Sequence, residues 1–158
     1  MLLLKREDFQ TERDWYDYLG NYAEKRFGEE AAKRNYHYYF TNRVMAHDGM
    51  LEINGQLSKI QVKGISRNRR ESRSKIFTLK LHGREKTNSA GQVKYTKDNV
   101  DYFGLYLVEH DILYLIPSDV ILKNETVQSI DLYNSEIEID YKKQEGSSTI
   151  DVAQYKVW

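Results

Sequence analysis

From Thr11 onward the apolar residues of TERDWYDYLGNYAEKRFGEEAAKRN return at intervals of three and four. Trp15, Leu19, Tyr22, Ala23, Phe27 and Ala31 form one stripe, so the spacing predicts an amphipathic helix. Thr11 is placed to cap it, with acids in the following turn. At 100° per residue Glu24 falls about 20° beyond Ala31, on the edge of the stripe rather than on the solvent face. Gly20, a poor helix former, is expected to permit close packing there.

Beyond the helix the period changes to two. YHYYF at 36–40 reads as a strand, and the runs Asp48–Ile53 and Gln56–Ile65 flank Asn54-Gly55, the strongest short-range hairpin signal. With that pair as the loop, partners sum to 109, which sets Ile53 against Gln56, Leu51 against Ser58 and Asp48 against Gln61. Directly opposed residues bring their Cβ atoms to about 4.5–5.5 Å. Lys63 then shares a face with Gln61, while Leu51, Ile53, Ile60 and Val62 point to the other face as core. A bulge at Gly49 would break this register. IFTLKL at 76–81 is a further strand, and HGREKTNSAGQVKYTKDN reads as a mobile loop. VDYFGLYLVEHDILYLIPSDVI gives two strands joined at Glu109–Asp111, then a short helix from Pro117-Ser118-Asp119. In the tail IEIDY alternates as a strand and KKQEGSSTI is a loop. Helix, strands and short helix make a mixed α/β domain, and 158 residues with no linker-like stretch point to a single one.

Composition narrows the setting. The chain has no cysteine, which excludes disulfides and thiolate metal sites and points to a reducing interior such as the cytoplasm. His37, His47, His82 and His110 show no zinc spacing, and MLLL is followed at once by KRED, too short an apolar start for a signal peptide or a membrane span. Formal net charge is zero, yet the charges are segregated. Residues 1–58 hold 8 Lys/Arg and 10 Asp/Glu, residues 59–97 hold 12 and 2, and residues 98–158 hold 4 and 12. A basic middle of that kind is the footprint of a polyanion-binding surface, or else a solvated basic loop.

The hairpin register gives that footprint a chemistry. An acid (Asp48) can bind Mg²⁺ and a side-chain amide oxygen (Gln61) can supply a second hard ligand. A lysine (Lys63) can orient or deprotonate water and stabilise phosphorane charge. Spacing alone is equally met by ordinary polar residues on an exposed strand face.

The string D-x12-Q-x-K formed by Asp48, Gln61 and Lys63 resembles the PD-(D/E)XK nuclease core, and within it the group I intron homing endonucleases. Residues 95–121, YTKDNVDYFGLYLVEHDILYLIPSDVI, are similar to the Y-T-x-x-V-D-Y-F-x-x-Y…D-x-x-Y-L-x-P pattern downstream of the catalytic strands in those proteins. The resemblance implies a restriction-endonuclease-like mixed sheet flanked by helices. It also implies a metal-facing glutamate on the first helix, best matched by Glu24 and less well by Glu29 or Glu30. Carried over, Glu24, Asp48 and Gln61 would be metal contacts and Lys63 the catalytic lysine, with Mg²⁺ or its substitute Mn²⁺ as cofactor. The motif's proline is absent before Asp48, and Gln61 stands where an acid is usual. His47 would at most position water.

On this reading Arg67, Arg69, Arg70, Arg73 and Lys75, with Lys80, Arg84, Lys86, Lys94 and Lys97 beyond them, would grip double-stranded DNA. The enzyme would be a homodimer or homotetramer, with its core at about 11–121 and an extension, 122–158, of open role. The competing readings are a structure-selective nuclease resembling Holliday junction resolvases, and an inactive DNA-binding protein on a nuclease-like fold.

Overall fold

The computed structural model describes residues 4–41, 47–66, 77–81, 95–123, 129–137, 145 and 148–157. The helix α1 (Glu12–Lys33) begins at Thr11, whose hydroxyl accepts the Asp14 N–H at 3.1 Å. Trp15, Leu19, Ala23, Phe27 and Ala31 are buried along it, the stripe that the spacing predicts. Then follow β1 (His37–Phe40), β2 (Gly49–Ile53), β3 (Gln56–Ile65), β4 (Phe77–Lys80), β5 (Tyr102–Leu107), β6 (Ile112–Pro117), α2 (Ser118–Ile121), β7 (Ser129–Tyr133) and β8 (Ile150–Asp151). Of IEIDY only Ile137 is described, and of the mobile loop expected at 82–99 residues 82–94 lie outside the described residues, whereas 95–99 are packed, with Tyr95 buried and the Thr96 N–H donating to the Asn99 side chain at 2.8 Å. Among the described residues no helix is long and apolar enough to cross a membrane.

A five-stranded sheet, ordered β1-β2-β3-β5-β6, carries the hairpin at its centre, and β4-β7-β8 form a second sheet. β3 pairs antiparallel with β2 and parallel with β5, so the central strand has one local and one distant neighbour. Asn54 and Gly55 both take positive φ, 53° and 77°, as the tight turn requires.

The faces of the main sheet divide by parity. Ile60 and Val62 of β3 pack with Ala23, Phe27, Leu51 and Tyr106 beneath α1. Ile65, Phe103 and Leu105 pack on the other side with Leu79, Leu132 and Val152 of the second sheet and its flank. The helix approaches the sheet closely at Gly64, where an added Cβ would stand 3.0 Å from the Leu19 backbone carbonyl. Gly20 has nothing within 4 Å of such an atom, so the close packing expected there is found on the sheet side instead. The acidic tail completes this second layer. β7 pairs with β4, Leu132 is buried, and Asn134 donates from Nδ2 to the Tyr114 hydroxyl.

An ionic tie holds α1 to the β5–β6 connection. Glu30 is buried and accepts from Arg26, from Lys33 at 2.8 Å and from Arg34 at 2.7 Å. Hydrogen bonds from those three cations, Lys33 foremost, hold its carboxyl down at about 2. Arg26 also reaches Asp111 at 3.1 Å, and the Tyr106 hydroxyl donates to the same carboxylate at 2.7 Å. Asp101 plays a similar part at the base of β3, accepting the Lys59 N–H at 2.7 Å. The pattern residues Asp101, Asp111 and Tyr114 therefore hold the fold together.

Candidate active site

The hairpin keeps the sum of 109 from Ile53↔Gln56 to Gly49↔Ile60. One residue earlier it departs. The Asp48 N–H donates to the Ile60 carbonyl at 2.9 Å, so Asp48 and Gly49 face a single partner, which is a bulge. The direct opposition of Asp48 and Gln61 expected from the register is thus corrected. Their side chains meet by another route. With the ladder ended, the Val62 N–H needs an acceptor, and the Asp48 Oδ2 supplies it at 2.8 Å. The Gln61 Nε2 donates to the same oxygen and, at 3.4 Å, to the Val62 carbonyl. Oδ1 of Asp48 has no hydrogen-bond partner among the described residues.

Burial pushes the Asp48 carboxyl above the ordinary range, against the opposing pull of the Val62 N–H, the Lys63 charge and the Gln61 amide. Lys63 lies on the same side of β3 as Gln61. Its Nζ donates to the Tyr95 hydroxyl at 2.9 Å and stands 5.1 Å from that ring's centroid, so the hydroxyl is the contact. Tyr95 is buried and edge-on to Phe103, 5.7 Å away, which fixes the hydroxyl in place.

Glu24 is half-buried on the α1 side of the sheet. It joins the group through Tyr38. That hydroxyl is held well above the usual phenol range by burial first, then by the charges of Asp48 and Glu24. Gln61 and Lys63 therefore stand with Asp48 at the open end of β2, while Glu24, on the α1 side of the sheet, is linked to it through Tyr38. Glu29 is exposed and Glu30 is consumed by its three cations, which leaves Glu24 as the helix acid near Asp48. His47 is buried, its carbonyl accepts from the Thr41 hydroxyl at 2.6 Å, and its charged neighbours are Lys59 and Asp101 rather than Asp48.

The donor set suits a hard divalent cation: carboxylate oxygens of Asp48 and Glu24, both half-buried. Among the described residues no group of three or more His, Cys, Asp and Glu converges, as follows from an amide at the third position. With Nε2 turned to Asp48, Gln61 presents a donor there, and it would serve as a ligand only with its amide turned over. Tyr38 and Tyr95 are the site residues that sequence reasoning missed. Tyr95 opens the YTKDNVDYF stretch, and its partner lies 32 positions away.

Of the basic residues, Lys80 is exposed on β4, opposite Ser129, and Lys97 is exposed before β5. Arg67, Arg69, Arg70, Arg73, Lys75, Arg84, Lys86 and Lys94 lie outside the described residues.

A family model described as PD-(D/E)XK endonuclease matches residues 20–149, most of the chain. No curated protein matches the sequence. Among solved structures, that of a bacterial homing endonuclease, I-Ssp6803I, is similar with a TM-score of 0.66 over 89% of this chain and 87% of that one. The two share 18% identity, so this likeness bears on the fold.

Proposed function

The chain belongs to the PD-(D/E)XK endonuclease family, and from that premise we propose a divalent-metal-dependent, site-specific DNA endonuclease of the homing type, encoded within a group I intron. The observation that carries it is the Asp48 cluster: a half-buried carboxylate with one oxygen bound by the Val62 N–H and Gln61 and the other without a hydrogen-bond partner among the described residues, within the field of Lys63. Asp48 and Glu24 would hold Mg²⁺ or Mn²⁺, with Gln61 as a further contact. Bound there, the cation supplies Lewis-acid polarisation of the scissile phosphate and a water of lowered pKa.

The chain's own groups then have separate tasks. Lys63, anchored by the Tyr95 hydroxyl, aims its ammonium at charge developing on the phosphorane oxygens as water attacks phosphorus and the bond to the 3′ oxygen breaks. Gln61, buried against Asp48, keeps that carboxylate from rotating. Lys80, Lys97 and the arginines and lysines of 67–94 would contact the DNA backbone, making binding steeply salt-dependent. One such site cuts one strand, so a double-strand break calls for two copies about a two-fold axis, in a homodimer or homotetramer.

Plasmid cleavage in Mg²⁺ is the test. Lys63→Ala is expected to lose cleavage while keeping salt-dependent DNA binding, and nicking at the wild-type rate would sink the assignment. Whether the reading frame interrupts a group I intron decides the homing part separately.

A further inference from the structure

Tyr38 lies on β1 with its ring beneath α1, packed on Phe27 at 5.3 Å and edge-on to Phe40 at 5.0 Å between centroids. Its hydroxyl is buried and meets no hydrogen-bond partner among the described residues, where it is the only buried side-chain polar atom of that kind. Such atoms are costly and rare in a folded interior. The backbone beside it is shaped to admit the hydroxyl. A Cβ on Gly49 would stand 2.3 Å from both Cζ and the hydroxyl oxygen, so a glycine next to Asp48 keeps that place open. The ring thus delivers a hydroxyl to the bulge from which Asp48 projects. The hydroxyl is a neutral donor, and Asp48 and Glu24 are the charged groups whose fields reach it.

We propose that Tyr38 is a positioning residue of the cation site: its hydroxyl donates a hydrogen bond within the oxygen shell of a divalent cation held by Asp48 and Glu24, and so sets where that cation sits. The inference rests on the reading of those two carboxylates given above. A donor of this kind acts through the ligands it orients, and losing one typically weakens metal affinity by about 10- to 100-fold.

Tyr38→Phe removes the oxygen and leaves the ring. Calorimetric titration with Mn²⁺ alone is run on the full-length wild type, Tyr38→Phe and Asp48→Asn, with metal-free melting as the second measurement. The Phe variant is expected to melt at or above the wild type, having lost an unpaired buried atom. Its Mn²⁺ affinity falls about 10-fold, and the Mg²⁺ needed for half-maximal cleavage rises by a similar factor, with the rate at saturating Mg²⁺ little changed. Wild-type Mn²⁺ affinity in the Phe variant would overturn the proposal and leave Tyr38 a packing residue. A Phe variant melting well below the wild type would overturn it too, because the hydroxyl would then belong to the fold's own hydrogen bonding. Asp48→Asn separates the two levels. If that variant also binds Mn²⁺ as the wild type does, the carboxylate reading falls first and the Tyr38 inference with it.

Discussion

Glu24 and Glu30 stand on one helix, and the protein surrounds them differently. Glu30 is buried among Arg26, Lys33 and Arg34, and its partner Arg26 is tied onward to Asp111. Glu24 sits near Tyr38, whose other charged neighbour is the half-buried Asp48. Each region takes acids at least partly out of water. In the first, cations balance the charge and the carboxyl is driven down to about 2, so burial and pairing serve stability. In the second, burial outweighs the opposing interactions and Asp48 is driven up, so the same burial leaves negative charge to be neutralised from outside. The difference in compensation distinguishes a tie from a site.

Exchanging the charges is the way to break this contrast. Asp48→Asn should have the largest effect, reducing Mg²⁺-supported plasmid cleavage by about three orders of magnitude, since it removes a ligand and leaves the shape. The same variant should melt higher than the wild type in metal-free buffer near neutral pH. The sign follows from the raised carboxyl. Stability associated with the protonated acid is complete below the ordinary value of 3.8 and is lost as pH rises through the higher folded value, a loss that asparagine does not suffer. A variant both inactive and less stable would place Asp48 among the ties.

Glu30→Gln should do the reverse. It is expected to cost about 2 kcal/mol of stability, less than a fully buried pair because Lys33 and Arg34 remain within reach of solvent, while cleavage per folded molecule stays at the wild-type level. In a melting experiment that is a fall of roughly 4–8 °C. Here the carboxyl is lowered, so the wild type's advantage is present above the ordinary value of 4.5 and shrinks as pH falls toward about 2. Melting curves of the two variants across pH should therefore diverge from the wild type in opposite directions.

The smallest effect is expected on the far side of the sheet. Tyr95→Phe leaves Lys63 its charge and takes its hydroxyl partner, and a loosened ammonium should lower the cleavage rate about 10-fold without changing DNA affinity. An unchanged rate would show that Lys63 is held well enough by its strand.

How much of this was legible beforehand follows from the range of each interaction. The hairpin could be read because Asn54-Gly55 is a local signal, and α1 because its stripe and cap are local too. The bulge at Gly49 could be raised only as an alternative to the register, since the Tyr38 ring that occupies the space beside that glycine arrives from another strand. The strand at 129–133 and its pairing with β4 were missed because that register depends on a partner some fifty residues earlier. Site residues with a motif spacing, Asp48, Gln61 and Lys63, could be named. Tyr95 and Tyr38 could not be given roles, because nothing in their spacing records what they touch.

The parallel pairing of β3 with β5 also sets an order of events on the ribosome. The hairpin that carries Asp48, Gln61 and Lys63 is contiguous and can close as soon as it emerges, whereas its other neighbour, and the Tyr95 that anchors Lys63, are synthesised later. The strands that bury the far side of the site arrive later still, with Leu132 and Val152. A nascent chain therefore carries Asp48, Gln61 and Lys63 long before it carries their supports, and the proposed site is complete only once the strands around Leu132 and Val152 have followed.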